Sequence, residues 1–249
     1  MLKQKDERSK WLNRVKKRLN KEYNKIVKPE IVEIEGIKVR LGDYVSETIR
    51  QALYSGYYEH PELQMVKYWL KPDDVVMEVG AGLGLISSYC AKKIGSDRVF
   101  TYEANPALEE PIKKNYNING VSPTLEICLV GDEIGEKIFY IDKSFWASSI
   151  THWNADATAV KVPMKCFNQE VKRLNPTFLI MDVEGGEYEI IKQADFHNIQ
   201  KISIEIHEQM IGHEKVESVK AKLASSGFKV NKEFSNKHKN GLEELFLQR

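Results

Sequence analysis

Hydrophobic and polar positions follow two different periods along this chain. Between residues 1 and 28 the period is helical, with Trp11, Val15, Leu19, Tyr23 and Ile26 on one stripe. Lys16, Lys17, Arg18, Lys21 and Lys25 cover the other faces. This predicts a basic amphipathic helix whose apolar stripe packs and whose basic face is solvated. Pro29 ends it. Alternation over residues 31–41 about Gly36 predicts a small hairpin, followed by helical stretches around 47–55 and 62–70.

From residue 71 short apolar runs alternate with helical segments. The runs at 75–79, 98–103, 125–130, 178–182 and 202–206 predict five strands. Helices are predicted over 85–93, 107–117, 188–194 and 215–225. Two further strands, 228–234 and 244–247, flank the turn signal Asn240-Gly241. Strands that alternate with helices imply βαβ units. Right-handed crossovers then give an α/β fold, a doubly wound and mostly parallel seven-stranded sheet covered on both faces. The stretch 131–176 is the least regular, read as a β-excursion at 137–141, a loop, and a helix near 168–174. Three parts follow: a basic arm (1–28), a hairpin with helices (29–70) and the sheet domain (71–249).

Composition narrows the class. The 249 residues are 29% charged and 42% apolar, enough apolar surface to offset the entropy of ordering, so the chain is not a disordered one. Gly, Pro and Cys (15, 8 and 3) are too few for a collagenous or disulfide-rich scaffold. No apolar run reaches the roughly 18 residues of a membrane span. Charge directly after Met1-Leu2 speaks against a secretory leader. Cys90, Cys128 and Cys166 form no C-x-x-C pair and are expected to be reduced thiols, which points to the cytoplasm. The net charge of +1 is uneven: residues 1–28 hold eleven Lys/Arg against three Asp/Glu, leaving a mildly acidic body. Such an arm suits an anionic membrane surface, RNA, or packing on the body.

Four motifs carry chemistry. Glu78-Val79-Gly80-Ala81-Gly82-Leu83-Gly84 follows a strand and opens a helix. Its glycines allow a sharp turn and close ligand approach. The third glycine comes one residue earlier than in the pyrophosphate-binding pattern, and Glu78 stands two residues before the first. An acid there repels a pyrophosphate and suits a cation such as S-adenosylmethionine (SAM). Second, Glu103 ends the next strand, 19 residues after Gly84, where an acid accepts hydrogen bonds from both ribose hydroxyls. Third, Asp182-Val183-Glu184-Gly185-Gly186-Glu187 ends a strand, so Asp182 and Glu184 face the same crevice as the glycine turn. Glu187 reads as a helix first-turn acid. Fourth, Glu205 and His207, two apart on a strand, project to one side, and His is the usual proton acceptor near neutral pH. Asp182, Glu205 and His207 have no recognised ligand spacing, and no metal is expected.

These motifs resemble those of class I SAM-dependent methyltransferases, and more narrowly of the FkbM type. The resemblance covers about residues 50–248 and includes Gly56-Tyr57-Tyr58-Glu59, Tyr102-Glu103-Ala104-Asn105-Pro106 and Ile204-Glu205-Ile206-His207. The run Asp182-Val183-Glu184-Gly185 is its most specific part. The chain departs from the family pattern at Glu78, Gly82 and Met181. The resemblance implies an antiparallel C-terminal hairpin closing the sheet and O-methylation of a hydroxyl on a sugar, polyketide or related metabolite. It implies SAM held by Glu78, Gly80, Ala81, Gly82, Gly84, Glu103, Ala104, Asn105, Gly131, Asp132 and Asp182. Asp182 or His207 is expected to act as base, with Glu184 and Glu205 positioning the acceptor. Trp146, Ser148, Ser149, His152 and Trp153 are expected to meet the acceptor. Two rivals remain: a nucleic-acid-directed methyltransferase guided by the arm, and a non-catalytic SAM-fold binding protein.

Overall fold

The computed structural model describes residues 22–142 and 157–249. The basic arm before residue 22 lies outside the described residues, as do Trp146, Ser148, Ser149, His152 and Trp153. Residues 22–27 are helical, but Tyr23 and Ile26 are 64% and 84% exposed. The described end of the apolar stripe is therefore not packed, contrary to expectation.

Strands β1 (Ile31–Ile34) and β2 (Ile37–Arg40) form the predicted hairpin. Its two turn residues, Glu35 and Gly36, both have positive φ (51° and 81°), the geometry that matches strand twist in a two-residue turn. Helices α1 (Glu47–Ser55) and α2 (His60–Trp69) follow. The hairpin is fastened to the body by two buried amides. Asn119 bonds both the N–H and the carbonyl of Lys38, and Asn115 accepts from the Arg40 N–H.

The body is built as β3 (Val76–Val79), α3 (Leu85–Ile94), β4 (Val99–Glu103), α4 (Glu109–Asn119) and β5 (Thr124–Ile127). Then come β6 (Leu129–Gly131), β7 (Gly135–Ile141), β8 (Thr158–Cys166), α5 (Phe167–Leu174) and β9 (Phe178–Met181). The chain ends with α6 (Glu187–Ile191), β10 (Lys201–His207), α7 (Glu208–Ile211), α8 (His213–Ser225), β11 (Lys229–Val230), β12 (Asn236–Lys237) and β13 (Leu242–Gln248).

The central sheet runs β11-β13-β10-β9-β3-β4-β5, with β12 also on β13. Strands β10, β9, β3, β4 and β5 are parallel and β13 is antiparallel to β10. Strands β3 and β9 are buried at every position, as expected of strands covered on both faces. Val76, Phe178 and Ile180 feed the core on the face of α1–α4, while Met77, Leu179 and Met181 feed the core under α5, α6 and α8.

Three expectations need correction. The sheet has eight strands, because only β11 forms within the strand predicted at 228–234 and a further short strand, β12, follows at 236–237. Phe234 leaves the edge to pack on Tyr68, Trp69 and Phe246, and the Ser235 hydroxyl accepts the Phe246 N–H in place of a backbone carbonyl. The run predicted at 125–130 is also split. Strand β5 stays in the central sheet, whereas β6 pairs with β8 in a separate three-stranded sheet with β7. Finally, β8 itself was expected to be loop. It carries Pro163, which argues against a strand, but its alternating Val162 and Met164 are buried.

Candidate active site

The glycine turn sits between β3 and α3 at the carboxyl end of the parallel strands. Gly80, Gly82 and Gly84 all have positive φ (95°, 52° and 73°). A Cβ on Gly80 would lie 1.7 Å from the Asp182 carbonyl oxygen, so the turn touches the end of β9 backbone to backbone. A Cβ on Gly82 would lie 2.7 Å from the Tyr58 hydroxyl and 2.9 Å from Glu59 Oε1.

The two acids framing the turn are buried. Glu103 Oε2 accepts from the N–H groups of Ala81 and Gly82, both at 3.1 Å, and Oε1 accepts from the Asn105 N–H at 2.8 Å. The acid thus clamps the turn it was expected to face. Glu78 Oε1 accepts from the Ser87 N–H at 3.1 Å, and its buried Oε2 has no hydrogen-bond partner. Burial pushes Glu78 up to about 8, against the bond from Ser87. Burial pushes Glu103 up to about 7, against its three backbone bonds.

A pH dependence follows. Both carboxyls lie above their ordinary value of 4.5 in the folded protein, so it binds more protons than the unfolded chain between there and about 8. Stability then falls as pH rises through that window. His207, raised to about 10, acts in the same sense: its contribution is full below its ordinary 6.5 and lost as pH climbs to about 10. The ligand-free protein should melt higher at acidic than at alkaline pH, by roughly 5 °C between pH 6 and pH 9. Scanning calorimetry across that range checks it, and a melting point that rises with pH contradicts the burial described.

The second group of side chains gathers where β9 and β10 end. His207 Nδ1 is 2.7 Å from Glu187 Oε1, and its Nε2 is 3.2 Å from Glu184 Oε2. Asp182 Oδ1 and Glu205 Oε2 each stand 3.9 Å from the same Nε2. Glu184 has a positive φ of 46°, a strained conformation for a residue with a side chain. Burial raises the Asp182 carboxyl, and it raises Glu184 to about 8 and Glu205 to about 9. Burial works against the His207 charge, but the Glu187 bond and the surrounding carboxylates outweigh it.

Most of the residues singled out from sequence come together. Glu78, Gly80, Gly82, Glu103, Ala104, Gly131, Asp132, Asp182, Glu184, Glu205 and His207 all line one cavity of about 440 Å³. Ala81, Gly84 and Asn105 do not line it. Ala81 and Asn105 hold Glu103 through their N–H groups, and Gly84 starts α3. Asp132 lies 3.4 Å from Lys192 Nζ.

Three residues were missed. Glu187, read as a first-turn acid, does accept from the Gly185 N–H at 3.1 Å, but it is fully buried and anchors His207. Glu59 and Glu62, from the start of α2, also line the cavity, and burial holds both well above the usual carboxylate range. The sequence signal for Glu59 was present in Gly56-Tyr57-Tyr58-Glu59. Nothing local marked Glu62.

The strand order, the glycine turn and the acid at the end of β4 define a class I Rossmann-like methyltransferase fold. TYW2 of Pyrococcus horikoshii, solved in complex with MeSAdo, superposes with a TM-score of 0.50 at 15% identity, covering 92% of this chain and 80% of that one. Precorrin-6y C5,15-methyltransferase of Geobacter metallireducens gives a TM-score of 0.49 at 16% identity, covering 77% and 88%. In sequence, 92 residues are 35% identical to a Methanocaldococcus jannaschii protein named as a protein N5-glutamine methyltransferase. That match covers 37% of this chain and 42% of that relative, so the chain spans less than half of the relative's length.

The model of the methyltransferase FkbM domain matches residues 78–230, and the chain belongs to that family. SAM is the cofactor of the class. The residues fit it on three observations: the unpartnered buried Glu78 Oε2, a turn whose cavity side a Cβ at Gly82 would obstruct, and a cavity of nucleoside size.

Proposed function

We propose that the protein is a SAM-dependent O-methyltransferase acting on a hydroxyl of a sugar, polyketide or related metabolite. The observation that carries this reading is His207, pinned through Nδ1 by buried Glu187 while Nε2 stands among Asp182, Glu184 and Glu205 on the cavity wall. A hydroxyl nucleophile must shed its proton, and this cluster is built to receive one.

When bound, SAM supplies a methyl group already activated on a positive sulfur. The chain's task is then orientation and proton removal. Glu78 and Glu103 offer carboxylates to the cofactor's amino and ribose groups, and Gly82 leaves it room. Asp182 is the proton acceptor at the β9 end, while Glu184, raised to about 8 by burial, positions the acceptor. His207, raised to about 10, is already protonated at neutral pH and serves better as a fixed positive charge than as the base. Glu205 positions the acceptor.

The wall is otherwise acidic: Glu59, Glu62, Glu189 and Glu244 also line it, against Lys137. Such a wall offers no cluster of Lys or Arg to hold phosphate, which disfavours the nucleic-acid reading. The test is product analysis after incubation with methyl-labelled SAM and panels of hydroxylated metabolites, glutamine peptides and tRNA. Label in an ether is expected. Label confined to peptide nitrogen or RNA overturns the assignment.

A further inference from the structure

We propose that Asp182, Glu205 and His207 form a binding site for a divalent first-row cation. The inference rests on the O-methyltransferase reading for its role, but not for the site itself. Strands β9 and β10 are parallel neighbours in the register Met181↔Ile204, so the next position sets Asp182 beside Glu205. His207 follows two residues later on the same side of β10. One ligand atom from each of the three lies within 4.8 Å of the others. An ion with bonds of about 2.1 Å holds tetrahedral ligands about 3.4 Å apart, so the 3.9 Å gaps at His207 Nε2 must close by about half an ångström. Side-chain rotation supplies that.

Two further observations point to a cation rather than to a group of acids alone. The first is the hold on the histidine. Glu187 is fully buried, takes His207 Nδ1 at 2.7 Å, and leaves its own Oε2 without a hydrogen-bond partner. A carboxylate on one ring nitrogen is the usual support for a histidine whose other nitrogen binds metal, and a bound cation would take the place of the Nε2 proton that His207 carries without it. The second is the lack of any Lys or Arg partner. Asp182, Glu184, Glu187 and Glu205 all pair with His207 alone, and no Lys or Arg among the described residues pairs with any of them. Asp182 Oδ1 is buried and has no hydrogen-bond partner.

The donor set of one imidazole and two carboxylates suits Mn²⁺, Fe²⁺ or Zn²⁺ better than Mg²⁺ or Ca²⁺, which prefer oxygen alone. Three protein ligands leave one position of a tetrahedral ion open for an acceptor hydroxyl. Bound there, the hydroxyl becomes more acidic. Its oxygen electron pair forms the new C–O bond while the S–C pair stays with sulfur. The proton passes to Glu184, the carboxylate of the group left outside the ligand set.

The test uses the full chain stripped with chelator and then titrated with Mn²⁺, read by electron paramagnetic resonance, with Zn²⁺ by calorimetry and Mg²⁺ as comparison. SAM binding is measured in parallel. One equivalent of Mn²⁺ or Zn²⁺ should bind. Glu205→Gln should weaken it at least about tenfold with the melting transition and SAM affinity retained, and His207→Gln should weaken it as much with a lower melting transition but SAM affinity retained. Absence of saturable binding in the unmodified chain overturns the site, as does unchanged affinity in both variants. Metal binding without SAM binding sustains the site and removes the methyltransferase reading.

Discussion

Gly80→Ala is expected to abolish SAM binding and to destabilise the fold. The residue sits at φ 95°, where a side chain is strained, and the new Cβ would lie 1.7 Å from the Asp182 carbonyl oxygen. That neighbour is backbone of β9, so relief requires the turn and the strand end to separate. Separation breaks the Gly80 N–H bond to the Tyr102 carbonyl and pulls Ala81 and Gly82 from Glu103. We expect a loss of at least about 100-fold in SAM affinity, on the order of 3 kcal/mol. Gly120→Ala is the control. It has a similar φ of 66° but open space around it, and should cost about 1 kcal/mol of stability with SAM binding intact. Calorimetry and urea unfolding of the two variants decide the matter, and equal SAM affinities in both would remove the turn from the site.

The second large effect is expected at Asp182. Asp182→Asn keeps the shape of the side chain and removes a proton acceptor from the β9 end. Turnover should fall by about 10²–10⁴-fold, with SAM affinity altered only a few-fold. His207→Ala should also slow turnover, because it leaves Asp182, Glu184, Glu187 and Glu205 without their shared positive partner. The measurement is single-turnover methyl transfer with labelled SAM. Full turnover in both variants contradicts the roles given to this cluster.

What the sequence made legible is instructive in physical terms. Strands β3, β4, β9 and β10 are short, apolar and bounded by turns, so each showed as a local run, and their alternation with helices fixed the parallel sheet. The acids at the strand ends were readable because open α/β sheets bind ligands there. What escaped depends on contacts distant in the chain. Strand β8 is specified by β6 and β7 on either side, not by its own Pro-containing run. The break between β11 and β12 comes from Phe234 finding Trp69 and Phe246. Glu62 enters the cavity only because α2 packs across the turn. Glu187 looked like an ordinary helix-start acid until β10 brought His207 to it. The cluster of Asp182, Glu205 and His207 joins two strands, so no local spacing rule found it.

The central claim is that Glu78 and Glu103, framing the glycine turn, hold a positively charged nucleoside. Isothermal titration of SAM into the unmodified chain and into Glu103→Gln tests it most directly. Saturable one-to-one binding, weakened about 10- to 100-fold in the variant, is the predicted result. No binding heat in the unmodified chain, or equal affinity in the two, would contradict it.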